Sequence, residues 1–200
     1  MSVLLIGLGV FNYINILINK LMDNFEYPLM LNYTERREYE SYVLSIIHAC
    51  IISYCSYYDI MNNWVFYFMM SYFLNDIIRM ILVADPKSKN FKKDDFMHHT
   101  IGFLLSGFCT TLNPDGPYFK YIAKIKMIEF STIFLSTGFL LRGVKSKKRK
   151  LNYIETKVLK LNIVIFFLLF FALRIVWMPY VIIQILLERD LYYSIKILLV

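Results

Sequence analysis

Long apolar runs alternate with short polar connections along this 200-residue chain. A bilayer core of ~30 Å needs about 20 apolar residues in a helix, and about 17 suffice. Segments at 3–19, 41–58, 64–84, 95–112, 119–141 and 160–178 meet that length. The pattern therefore predicts an all-α integral membrane protein, one bundle of about six spans forming a single domain over 1–200. The sixth run reaches 187 if Pro179 kinks the helix instead of ending it. Leu191–Val200 is apolar but too short to span, so it either lies at the interface or begins a truncated seventh helix. The first run has no basic residue ahead of it and ends Leu17-Ile18-Asn19-Lys20, with no small-x-small site. It reads as a retained span and not as a cleaved signal peptide.

Composition excludes the soluble alternative. The chain is 58% hydrophobic and 18% charged, against about 45–50% and about 25% in soluble domains. Its mean hydropathy is +0.51. A soluble globule of this size has no interior large enough to hide that much apolar surface. The net charge of +7 first suggests nucleic acid, but the basic residues sit in runs beside apolar segments, the densest from Arg142 to Lys150. That placement is a topology signal, with anionic lipid headgroups as neighbours and no nucleic acid partner. Cys50, Cys55 and Cys109 all lie in apolar segments without CxxC or Cys/His spacing, so neither a disulfide framework nor a metal site is expected.

The charge alternates from loop to loop. Lys20, Arg36 and Arg37 lie in the first connection, Lys87, Lys89, Lys92 and Lys93 in the third, and eight basic residues from Arg142 to Lys160 in the fifth. The second and fourth connections hold none. The positive-inside rule then puts the odd loops in the cytosol and the N-terminus outside. Lys120, Lys124 and Lys126 break the pattern. Either they snorkel to the outer interface or the fifth span starts later. The sequon Asn32-Tyr33-Thr34 falls in a loop read as cytosolic, and is expected to be unglycosylated.

Ionisable residues inside spans are costly, and their depth is informative. His48 lies roughly 10 Å in from the cytosolic face and Asp76 roughly 12 Å. His98 and His99 occupy the first turn of the fourth span, while Glu129 and Arg174 are near mid-span in the fifth and sixth. These positions agree on a polar cavity opening to the cytosol. Helical phase aligns Ser41, Ser45, His48 and Cys55 on one face. It does the same for His99, Gly102, Ser106 and Thr110, for Glu129, Thr132 and Ser136, and for Asn12, Asn15 and Asn19. Each stripe has a plainer reading as helix–helix glue. Arg79 at i+3 offers Asp76 a neutralising partner, and Glu129 with Arg174 offers a buried structural pair.

Asp94 and Asp95 stand at i−4 to His98 and His99, where a carboxylate can orient an imidazole, and one of them suits the N-cap of the fourth span. Consecutive helical residues point about 100° apart, and the polar stripe favours His99 as the ring facing the cavity. An imidazole titrating near ~6.5 can serve as base, acid or acyl-accepting nucleophile.

These residues resemble the TLC-domain family, the multi-span fold of ceramide synthases, translocating-chain-associating membrane proteins and several lipid-homeostasis proteins. The resemblance runs from about Ser45 to Pro179. It rests on Ser45-Ile46-Ile47-His48-Ala49, Ser71-Tyr72-Phe73-Leu74-Asn75-Asp76, Asp95-Phe96-Met97-His98-His99, Glu129-Phe130-Ser131-Thr132-Ile133-Phe134-Leu135 and Arg174-Ile175-Val176-Trp177-Met178-Pro179. It implies that His98 and His99 correspond to the acyl-transfer histidines of ceramide synthases. Those enzymes carry His-Asp-x-x-Asp on the following helix, whereas this chain has Glu129-Phe130-Ser131-Thr132 and so looks like the non-synthase branches. The implied role is lipid handling in the endoplasmic reticulum or a related membrane. A lipid's polar end would lie near His48, Asp76, Glu129, Ser131, Thr132 and Arg174, and membrane lipids would be the partners. The alternatives are a His-dependent acyltransferase using a long-chain acyl-CoA, a structural or translocation role, and, least in keeping with the pattern, a haem held between His48 and His99. No resident cofactor is expected.

Overall fold

The computed structural model describes residues 2–24, 33–83, 93–112, 118–145 and 152–188, and these are helical or in short turns, with no strand among the described residues. The helices are α1 (Ser2–Asn24), α2 (Tyr33–Tyr57), α3 (Asn63–Val83), α4 (Lys93–Cys109), α5 (Tyr118–Lys126), α6 (Glu129–Lys145), α7 (Tyr153–Phe170) and α8 (Met178–Leu187). A π-helical segment, Phe171–Trp177, makes α7 and α8 one continuous rod. Two compact units arise, the first from residues 1–44 and 63–112, the second from 45–62 and 113–200. The division falls inside α2, after Leu44.

In the first unit α3 packs on both α1 and α4. Its core is aromatic: Phe11 is fully buried and stacks on Phe68 at 5.1 Å and Tyr72 at 5.9 Å. Two glycines set how closely the helices approach. A Cβ on Gly7 would lie 2.1 Å from Ser71 Oγ, and one on Gly102 would lie 2.6 Å from the Phe73 ring. Such small-residue contacts are how helices associate where apolar burial gives no net drive. Ser71 uses the approach, its hydroxyl donating to Tyr67 O at 2.8 Å and Leu4 O at 3.3 Å.

In the second unit α6 packs along α7, where the Asn162 amide donates to Phe134 O at 2.8 Å. Asn152 and Glu155 form a reciprocal capping box at the start of α7, satisfying two backbone N–H groups that the first turn leaves without partners. The π segment follows from Pro179. That residue has no N–H to offer the carbonyl of Ile175, and its ring crowds it. The helix widens, and the Met178 N–H bonds to Leu173 O, five residues back. Pro179 therefore neither ends nor interrupts the rod, which runs to Leu187.

Two described helices are long and apolar enough to cross a bilayer, Asn63–Leu82 with mean hydropathy 1.4 and Tyr153–Leu187 with 2.4. The apolar stretch of α1, Leu4–Ile18, is shorter. Five of the six expected segments coincide with helix over most of their length. The segment expected at 119–141 is divided by a turn at Met127–Ile128 into α5 and α6. Lys120, Lys124 and Lys126 all lie on α5, and a separate helix begins at Glu129. Asn32, Lys87, Lys89, Lys92, residues 146–151 and the tail 191–200 lie outside the described residues.

Candidate functional sites in the two units

The polar residues expected around one cavity divide between the units. Asp76, His98 and His99 belong to the first, and His48, Glu129, Ser131, Thr132 and Arg174 to the second.

In the first unit Asp76 and Arg79 sit one turn apart on α3, yet their partners differ. Asp76 Oδ1 accepts from the Ser41 hydroxyl at 3.0 Å, and Asp76 Oδ2 lies 3.2 Å from Nδ1 of His99. Arg79 donates to Glu40 Oε2 at 3.1 Å and to Asn15 Oδ1 at 3.2 Å. The expected Asp76–Arg79 neutralisation is thus replaced by a Glu40–Arg79 pair that is almost wholly buried. The His99 ring is enclosed by Tyr72 at 5.8 Å, by Phe73 edge-on at 5.6 Å and by His98 at 5.5 Å. His98 itself is exposed, as are Asp94 and Asp95. The carboxylate that reaches His99 is therefore Asp76 on the neighbouring helix and not Asp95 on its own. Asn75 is buried beside them in sequence, and its Nδ2 has no hydrogen-bond partner among the described residues.

The 3.2 Å approach of Asp76 Oδ2 to Nδ1 is an ion-pair distance without hydrogen-bond alignment; a carboxylate that does bond an Nδ1 proton leaves the lone pair on Nε2, the arrangement that prepares an imidazole to accept a proton or an acyl group. Gly102, one turn beyond His99, lets the Phe73 ring sit against α4 and wall the imidazole in.

In the second unit the cluster forms where two helices are irregular. Arg174 lies mid-way along the π segment, and Glu129 opens α6 just after the Met127–Ile128 turn. Arg174 Nε donates to Ser131 Oγ at 3.3 Å and its Nη2 to Thr132 Oγ1 at 3.4 Å. Ser131, fully buried, donates its own hydroxyl proton to Ile128 O at 2.7 Å. Glu129 lies within the electrostatic reach of His48, Lys126 and Arg174. Glu129 and Arg174 thus act on each other electrostatically, without a direct salt bridge among the described residues. His48 is buried on α2, where Ser45 accepts from Ser136 of α6 at 3.1 Å.

Sequence reasoning missed Glu40, which stands among charged neighbours ahead of the apolar run. It read Lys126 only as a topology exception. None of the three cysteines forms a disulfide, and among the described residues no three His, Cys, Asp or Glu side chains gather as a metal site.

No curated protein and no solved structure matches the chain. The family model of the TLC domain matches residues 39–196, an interval that begins one residue before Glu40 and takes in both polar clusters. With that match over most of its length, the chain belongs to the TLC-domain family.

Proposed function

We propose that this membrane protein handles lipid within its helical bundle and influences membrane lipid composition, with the His99–Asp76 pair at the lipid's polar end. The reading includes a multi-pass arrangement of about six spans, an extracytosolic N-terminus, and residence in the endoplasmic reticulum or a related membrane. The observation that carries it is the 3.2 Å approach of Asp76 Oδ2 to His99 Nδ1. A carboxylate–imidazole pair inside a membrane helix bundle is costly to retain without a polar ligand to meet. Mass spectrometry of the lipid that co-purifies with the protein tests this, repeated on the His98→Ala/His99→Ala double variant. A defined lipid lost or exchanged in the variant supports the reading. Wild-type protein that carries only bulk detergent and lipid refutes it.

The same pair supports a second reading as an acyltransferase. Nε2 of His99 would attack the carbonyl of a long-chain acyl thioester, forming an acyl-imidazole as the thiolate leaves and takes up a proton. An amine or hydroxyl acceptor would then attack the acyl carbon, give up its proton and restore the imidazole. The exposed His98 would be dispensable by comparison. Purified protein with acyl thioester and candidate acceptors decides between the readings. Turnover abolished by His99→Ala but only reduced by His98→Ala supports chemistry, whereas no turnover leaves lipid handling alone.

A further inference from the structure

The two arginines on helices apolar enough to span the membrane are treated differently by their surroundings. Arg79 meets a carboxylate at 3.1 Å and an amide oxygen at 3.2 Å, so its charge is matched. Arg174 meets two neutral hydroxyls at the long end of hydrogen-bond range, 3.3 and 3.4 Å. The Ser131 hydroxyl is itself committed to Ile128 O. The two hydroxyls aim the guanidinium without neutralising it. A guanidinium has five N–H donors in a planar fork. Two are used here, and the other three have no hydrogen-bond partner among the described residues. The Phe170 ring flanks the group at 5.6 Å, and the side chain is neither buried nor fully exposed.

The local charge points the same way. Arg174 and Lys126 bring two positive charges to the cluster and Glu129 one negative, with His48 able to add a third positive. The backbone agrees as well. Irregular backbone at membrane depth is tolerated where it is buried in protein or lines a wet cavity, and π turns gather at functional positions. This unit has two such irregularities, the turn at Met127–Ile128 and the π segment around Arg174, joined by the Arg174–Ser131 bond.

We propose that Arg174 is the recognition residue for the oxyanion headgroup of an acyl-chain amphiphile, a carboxylate or a phosphate. The free edge of its fork takes the oxygens, while Ser131 and Thr132 hold it in place. The inference rests on the lipid-handling reading and deepens it. It adds the headgroup charge to that reading and assigns its recognition to Arg174.

The test uses the purified full-length chain in neutral detergent with cis-parinaric acid and its methyl ester as fluorescent probes. Wild-type protein should bind the acid at least about tenfold more tightly than the ester, the usual worth of a charge-assisted pair. Arg174→Gln should erase that preference while leaving ester affinity unchanged, which also shows that the bundle is intact. Should Arg174→Gln fail to bind ester, Arg174→Lys carries the test, expected to keep ester binding and lose most of the preference because a point charge replaces the fork. Displacement of the probe by phosphatidic acid assigns the headgroup as phosphate, and displacement by oleate alone assigns it as carboxylate; either supports the proposal. Equal wild-type affinity for acid and ester, or a preference that survives Arg174→Gln, overturns the role of Arg174 and leaves lipid handling standing. Failure of both probes to bind, with inorganic phosphate bound instead, overturns both.

Discussion

Removing either member of the Glu40–Arg79 pair should destabilise the protein far more than a surface ion pair would suggest. The two charged groups approach to 3.1 Å, and their side chains are only 8% exposed for Arg79 and 4% for Glu40. An exposed pair contributes about 0–1 kcal/mol. A buried one that loses a single partner leaves an uncompensated charge, at about 3–5 kcal/mol. Arg79→Leu also removes the hydrogen bond to Asn15 Oδ1, a further loss of about 0.5–1.5 kcal/mol. Glu40→Leu removes the carboxylate but keeps the Asn15 amide oxygen on Arg79, so it should fall at the lower end. The double variant Glu40→Leu/Arg79→Leu buries no charge and should recover most of the loss, since replacing a buried pair by apolar side chains is often neutral. For a chain of this size about 1 kcal/mol moves the midpoint by roughly 2–4 °C, so each single variant should drop by at least about 6 °C. Thermal unfolding of the purified protein in detergent, run as a double-mutant cycle, measures both the losses and their coupling. Single variants that each lose under about 1 kcal/mol, or losses that simply add in the double variant, would refute the buried-pair argument.

Asp76→Asn keeps the volume and an oxygen for the Ser41 hydroxyl, so its unfolding midpoint should stay within a few degrees of wild type. If the protein transfers acyl groups, its rate should fall by about 10²-fold as the imidazole loses its orienting carboxylate, read from initial rates. Gly7→Ala should cost about 1–3 kcal/mol by overpacking, because its Cβ would meet Ser71 Oγ at 2.1 Å. Ser71→Ala should rescue only part of this, since Ser71 Cβ remains at 2.7 Å, and unfolding of the double variant reads the remainder. Asn152→Ala breaks the capping box of α7 and should lower stability by about 1 kcal/mol without changing the co-purifying lipid.

The helices were legible in the sequence because bilayer thickness imposes a length that apolar runs display directly. The break in the fifth run was legible only as an anomaly. A window tuned to about 20 apolar residues passes over Lys120, Lys124 and Lys126, although these mark a separate nine-residue helix. Lys124 turns its ammonium to Gln184 at 2.9 Å, and its backbone carbonyl accepts from the Trp177 indole, also at 2.9 Å. Such docking depends on a helix more than fifty residues away, so no local pattern contains it. The polar stripe His99, Gly102, Ser106 and Thr110 favoured His99 over His98; His98 is exposed, and the His99 side chain is 13% exposed.

What helical spacing does not supply is the choice of partner. Asp76 and Arg79 share a face by their i, i+3 spacing, and sequence alone makes them each other's simplest counter-charge. Long side chains diverge from one face toward different neighbours, and α3 packs on both α1 and α4. Arg79 reaches Asn15 on α1 and Glu40 on α2, which frees Asp76 for His99 on α4. The buried ion pair therefore has a consequence beyond stability. With Arg79 taken up by Glu40, the charge facing His99 is a carboxylate without a competing guanidinium. Glu40→Gln should thus do more than weaken the fold: it releases Arg79 toward Asp76 and should impair His99-dependent chemistry at temperatures where the variant is still folded. Normal activity in folded Glu40→Gln protein would show that Arg79 is no threat to the pair and that Glu40 serves stability alone.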